Sequence, residues 1–112
     1  MNRDQSYLLD IDKFAREILE FVRDMDESHF MSDRRTQSAV MYNITIIGEA
    51  VKQLSTDFRL HNPDIPWKQI SGMRDKLVHD YRQINALQVW VVAQTDIPQL
   101  LAAINPLLPK PG

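Results

Sequence analysis

Val40-Met41-Tyr42-Asn43-Ile44-Thr45-Ile46-Ile47-Gly48-Glu49-Ala50-Val51-Lys52-Gln53-Leu54 is the stretch that decides the fold class. Taken alone, the β-branched run Ile44-Thr45-Ile46-Ile47 suits a strand. Its flanks say otherwise. Thr36, Val40, Asn43, Ile47, Ala50 and Leu54 step by four and three, with Ile44, Ile46 and Val51 widening the line, which is helix period. Ser32 or Asp33 offers the N-cap. Gly48 inside a helix costs on the order of 1 kcal/mol against alanine, so its expected use is close approach of a neighbouring helix. Asn43, on the apolar line, reads more readily as a satisfied core amide than as a ligand group, with a supporting role at a site left open.

Toward the N-terminus, Leu8, Ile11, Ala15, Ile18, Val22 and Met25 keep the same period, with Tyr7, Phe14 and Phe21 beside them. This predicts a first helix from about Gln5 to Met25 that breaks at Asp26-Glu27-Ser28-His29. Its acidic opposite side reads as solvated surface. Downstream, Ser55 to Pro66 reads as a short helical turn or loop closed by Asn62-Pro63-Asp64-Ile65-Pro66. Pro66 then suits the start of a third long helix, Trp67 to about Tyr81. Asn85 with Gln88 resembles a capping pair for the last helix. Leu87, Val91 and Gln94 form one line there, and Trp90, Ile97, Leu100, Leu101 and Ile104 another. Pro98 predicts a kink near Asp96. Pro106, Pro109 and Pro111 predict an unstructured tail. No strand pair or internal repeat is visible. The prediction is an all-α, up-and-down bundle of about four long helices plus a short one, forming one domain over 1–105 with a tail at 106–112.

The chain has 112 residues and a net charge of -2, so no global basic field announces nucleic acid. The distribution is uneven. Residues 1–27 carry eight Asp/Glu against four Lys/Arg, and residues 34–82 carry eight Lys/Arg against five Asp/Glu. An anion should therefore meet the middle of the chain. Cysteine is absent, which excludes disulfides and thiolate metal sites and fits the cytosol. The first residues lack the apolar core of a signal peptide, and apolar runs such as Val89 to Ala93 are far shorter than a membrane span. A soluble, cytoplasmic protein is expected.

Chemistry concentrates in Gly72-Met73-Arg74-Asp75-Lys76-Leu77-Val78-His79-Asp80-Tyr81. A guanidinium holds its proton and presents a fork of donors to a phosphate. An imidazole exchanges a proton near neutral pH. Together they can grip or cleave a phosphodiester. On a straight helix, Arg74 and His79 stand roughly 140° apart, whereas Arg74 and Tyr81 share a face, as do Asp75 and His79. Two solutions bring Arg74 and His79 to one phosphate. Either the helix loosens before His79, or a second copy completes the site across a two-fold axis. Asp75 is placed to fix the His79 tautomer. The structural alternative is a surface helix with an Arg-Asp-Lys charge cluster. His29 and His61 stand alone in polar loops and read as exposed; no metal or other cofactor is expected.

The blocks Asn43 to Ser55 (NITIIGEAVKQLS), Asn62 to Trp67 (NPDIPW), Ile70 to Tyr81 (ISGMRDKLVHDY), Val89-Trp90 and Asp96-Ile97-Pro98 resemble, in order and spacing, the HepT-like ribonuclease toxins of the HEPN superfamily. The resemblance implies a HEPN-like helical bundle that dimerises so that two motif copies line one cleft. It implies metal-independent RNA cleavage by the toxin of a type II- or type VII-like toxin–antitoxin pair. It implies a minimal nucleotidyltransferase as antitoxin, which in some systems transfers AMP to the motif tyrosine. On this chain Arg74 and His79 become the catalytic pair, with Asp75 and Asn43 supporting them, and Tyr81 becomes the candidate AMP acceptor. Lys76 and Arg82 become weaker candidates for RNA contact. Arg82 is also a departure, because an aromatic residue is expected after the tyrosine.

The reading is therefore a homodimeric endoribonuclease toxin with no membrane association. Its rival is a non-catalytic module of the same fold that holds RNA or a nucleotidyltransferase. A third reading, a structural dimerisation domain, leaves Arg74 and His79 replaceable.

Overall fold

Asn2 starts the first helix with a reciprocal cap. Its side chain accepts from the Gln5 N–H (2.8 Å), and the Gln5 side chain accepts from the Asn2 N–H (3.1 Å). In the computed structural model, which describes residues 2–79 and 85–109 and leaves out the side chains of Val78 and His79, helix α1 spans Arg3–Phe21. Leu8, Ile11, Ala15, Ile18 and Val22 are its buried line. It stops four residues before the expected end. Val22 caps it, and Asp24 turns the chain at φ 63, a left-handed conformation that aspartate tolerates better than most residues.

The predicted break then holds a helix of its own, α2 (Glu27–Ser32), capped by Asp26 on the His29 N–H at 2.8 Å. Six residues are too few to show a period, so the sequence pattern gave no helix there. α2 carries Phe30, fully buried and 5.1 Å from the Trp90 ring. Phe30→Ala is expected to cost about 3–5 kcal/mol, a large share of the roughly 5–15 kcal/mol that holds such a domain folded. A thermal melt measures it, and an unchanged midpoint would show that α2 contributes nothing to the core.

Helix α3 (Arg34–Gln53) contains the β-branched run, as the period required. Asp33 is its N-cap, accepting from the Thr36 N–H (3.0 Å) and hydroxyl (2.8 Å). The Thr45 hydroxyl is satisfied by the Met41 carbonyl at 3.0 Å. α3 is the central rod, with α1 packed along one side and α5 along the other. Helix α4 (Thr56–His61), capped by Ser55, is the short helical turn, one of the two readings of this segment. Helix α5 (Trp67–His79) begins after Pro66 as predicted.

Asn85 caps helix α6 (Ala86–Val91) through the Leu87 N–H at 2.8 Å. Gln88 does not return the bond to Asn85; its side-chain oxygen accepts instead from Lys76 Nζ at 3.5 Å. α6 runs through a π-helical turn, Val92–Asp96, into helix α7 (Ile97–Ile104). Pro98 has no N–H and its ring crowds the carbonyl four residues back, and the wider turn relieves both problems without ending the rod. The turn also resets the register. The buried set becomes Val89, Ala93, Ile97, Leu100, Leu101 and Ile104, while Leu87 and Val91, which form a separate line with Gln94, remain exposed.

The end of the chain corrects another expectation. Residues Asn105–Leu107 form a 3₁₀ turn, and Leu107 and Leu108 lie against the core. The described chain is therefore packed beyond the boundary set at 105. The all-α bundle itself is as predicted: α1, α3, α5 and the α6–α7 rod are its long members, with two short helices rather than one. Its 20 Å minimum extent is that of two helix layers. Among the described residues, no helix is long and apolar enough to cross a membrane.

Candidate active site at the seam of α3 and α5

Gly48 sets how closely α3 and α5 approach. A Cβ placed on it would lie 2.1 Å from Arg74 Cβ, 2.9 Å from Arg74 Cγ and 3.4 Å from Arg74 Cα. Those atoms belong to the base of the arginine side chain, which cannot rotate away from the contact. The glycine is thus a socket for Arg74, the close approach its sequence position suggested.

From that socket the Arg74 side chain, 21% exposed, meets two carboxylates. Its Nη2 is 3.0 Å from Glu49 Oε2 on α3, and its Nη1 donates to Asp75 Oδ1 at 3.1 Å. Lys52, one turn beyond Glu49, donates to the same Asp75 oxygen. Charges alternate along Glu49, Arg74, Asp75 and Lys52, binding the two helices and fixing the plane of the guanidinium. The Lys52 ammonium, then the Arg74 guanidinium, hold the Asp75 carboxyl below its ordinary value of 3.8. A lowered carboxyl pKa favours the ionised, paired state; that contribution is lost as pH falls through the folded value, so the chain of charges is complete at neutral pH.

The bond to Asp75 uses one N–H of Arg74 Nη1 and leaves its second, while Nη2 is ion-paired with Glu49 and keeps N–H groups to offer. Its Nε is buried with no hydrogen-bond partner among the described residues. Leaving a buried donor unsatisfied works against stability. The group is positioned and still has donors to offer, as a phosphate-binding guanidinium requires.

Of the residues singled out from the sequence, Arg74 and Asp75 are brought together here. The backbone of α5 continues without interruption to His79. The His79 side chain, Tyr81 and Arg82 lie outside the described residues, so the expected Asp75–His79 hydrogen bond does too. Lys76 is exposed and reaches toward Gln88 on α6 instead of toward α3. Asn43 is 2% exposed and belongs to another seam, donating to the Phe14 carbonyl (3.0 Å) and to Glu17 Oε1 (2.9 Å) on α1. It is the satisfied core amide, and the hoped-for support of the site comes from Gly48, Glu49 and Lys52. Glu49 and Lys52 are charges three apart directly after a mid-helix glycine, a spacing that by itself does not tie them to Arg74.

His29 and His61 sit on α2 and α4, not in loops. His29 Nδ1 is 3.2 Å from Asp26, and His61 Nδ1 is 2.7 Å from the Asp57 carbonyl. No group of three potential metal ligands occurs among the described residues.

The fold and this seam define a class: small helical bundles that lodge a motif arginine between two long helices, with a histidine five residues further along. The chain belongs to the HepT-like ribonuclease family, whose model matches residues 11–107. It is a ribonuclease of the HEPN type. A protein named "Probable ribonuclease HepT" from Thermococcus cleftensis is 40% identical over 96 residues, 86% of this chain and 87% of that one. A protein of Methanocaldococcus jannaschii whose name begins "Putative RNase" is 38% identical over 86% of this chain and 83% of its own. Another with that opening, from Caldanaerobacter subterraneus, is 34% identical over 98% of both chains. No solved structure matches.

Proposed function

We propose that this chain is the toxin of a toxin–antitoxin pair, a homodimeric, metal-independent endoribonuclease whose catalytic residues are Arg74 and His79. The observation that supports it most is the run of α5. That helix continues to His79 while Arg74 is held against α3, which favours a second copy over a loosened backbone as the route by which the two side chains meet. At roughly 140° of separation on one helix, the two side chains of one copy point apart, and a two-fold partner brings an Arg74 and a His79 to one cleft.

In this mechanism a ribose 2′-hydroxyl attacks its own phosphorus and the 5′-oxygen of the next nucleotide leaves. His79 of one copy, facing Arg74 of the other, takes the hydroxyl proton and passes it on to the leaving oxygen. Arg74 stabilises the charge that develops on the phosphoryl oxygens. The products are a cyclic 2′,3′-phosphate and a free 5′-hydroxyl. Cleavage in excess EDTA should match cleavage without it, and mass spectrometry should find the cyclic phosphate. Loss of activity in EDTA, restored by magnesium, would sink the metal-independent mechanism. Light scattering should give a dimer at micromolar concentration.

Control belongs to a minimal nucleotidyltransferase acting on Tyr81. Seven residues beyond Arg74, Tyr81 shares its helical line by spacing. AMP on its hydroxyl brings bulk and negative charge to the approach an RNA phosphate must use. Tyr81→Phe loses the acceptor and should leave the toxin insensitive to the antitoxin with ATP. Mass spectrometry of the co-expressed pair checks it; unmodified Tyr81 in a neutralised complex would mean that the antitoxin occludes the cleft.

A further inference from the structure

The charges at Arg74 continue into a groove that the motif does not include. Lys52, which shares Asp75 with Arg74, also lines an open groove of about 500 Å³ between the start of α1, the end of α3 and the start of α4. Arg3, Arg59 and Lys52 supply its positive charge, drawn from three different helices. Asp4 is its one carboxylate, and that group is occupied internally, accepting from the Ser55 N–H and hydroxyl at 2.7 Å each. Arg3 rests on Gln53, to which it donates at 2.7 Å, with its guanidinium 5.6 Å from the Tyr7 ring centroid. The Arg59 Nε is buried and has no partner among the described residues.

Three cations, one satisfied carboxylate and an open, mostly polar wall make a site for an anion. Its position says which. From Gly48, where Arg74 is seated, to the end of α3 is on the order of 10 Å along the helix axis, and Lys52 spans the interval. An anion that reaches both ends at once is a chain of phosphates.

We propose that this groove binds backbone phosphates of the RNA strand that flank the scissile one, so that substrate is held along the end of α3 as well as at Arg74. The inference rests on the reading of Arg74 as the phosphate-binding residue, and deepens it: the substrate is an extended single strand, and part of its affinity is independent of base identity.

Arg59→Gln removes a charge from the groove, and Thr56→Glu adds an opposing one. Thr56 is exposed at the first position of α4, where an acidic side chain favours the helix, so the second variant folds even if the first does not. The probe is a fluorescent single-stranded RNA made uncleavable by 2′-O-methylation, titrated by anisotropy against the dimer at several salt concentrations. Each variant should bind about tenfold more weakly at physiological salt, and Arg59→Gln should lower the salt slope by about 0.7, the value for one phosphate contact. Arg59→Lys should restore binding. Shortening the RNA to the fragment around the scissile bond should erase the difference between variants and wild type. Wild-type affinity and slope in both variants, or no RNA binding by the wild type, overturns the groove. Cleavage measured on the unmethylated RNA tests the other reading separately, since weakened binding by the variants with no cleavage by any protein leaves the groove and removes the ribonuclease assignment of Arg74.

Discussion

Arg74→Ala and His79→Ala should each abolish RNA cleavage, and mixing the two inactive proteins should restore part of it. The loss follows from chemistry. Without Arg74 the phosphoryl charge has no guanidinium, and without His79 no group near pH 7 moves the proton; each change is expected to cost about 10²–10⁴-fold. The recovery follows from geometry. In a symmetric dimer whose cleft takes Arg74 from one copy and His79 from the other, a mixed dimer keeps one intact pair and loses the second. Free exchange of subunits makes half of the dimers mixed, so roughly a quarter of wild-type activity should return. A site contained within one copy returns nothing. The experiment needs only the two purified variants, exchanged at matched concentration and assayed on one RNA. Recovery at the level of the single variants would confine the site to one protomer.

The long helices were legible because their apolar residues repeat often enough to define a period. That is why Ile44-Thr45-Ile46-Ile47 could be read against its local β preference: Val40, Asn43, Ala50 and Leu54 outvote it. What escaped was short or out of period. α2 has six residues and carries Phe30, and no pattern marks it. The π-helical turn at Val92–Asp96 shifts the register by part of a turn, so a line drawn at 3.6 residues across it joins Trp90 to Ile97, whereas the buried residues before Ile97 are Val89 and Ala93. The prolines near the C-terminus suggested freedom, but Leu107 and Leu108 still had a core to reach. At the site, the sequence singled out Arg74 through its pairing with His79 and the resemblance of the flanking blocks to a family, since the spacing alone is weak. It could not reveal Glu49 and Lys52, because their relation to Arg74 and Asp75 depends on how two helices, more than twenty residues apart in the chain, are placed against each other.

Gly48→Ala should cost more activity than stability, and Gly72→Ala should cost neither. Both substitutions add one methyl group to a helical glycine, and each gains about 1 kcal/mol of helix propensity. At Gly72, on α5, nothing lies within 4 Å of the new Cβ, so the gain stands and the melting temperature rises. At Gly48 the new Cβ would sit 2.1 Å from Arg74 Cβ, and the two helices must part by an ångström or more. Overpacking of this kind costs about 1–3 kcal/mol, which offsets the propensity gain and leaves a small net loss of stability. The site is less forgiving. Moving α5 off α3 lengthens the 3.0 Å Arg74–Glu49 ion pair and releases the plane of the guanidinium. Misplacing a catalytic group by about 1 Å costs on the order of 10²-fold. Gly48→Ala should therefore lose about that much kcat while its melt shifts by only a few degrees. A Gly48→Ala protein that cleaves RNA at the wild-type rate would show that Arg74 does its work without the socket.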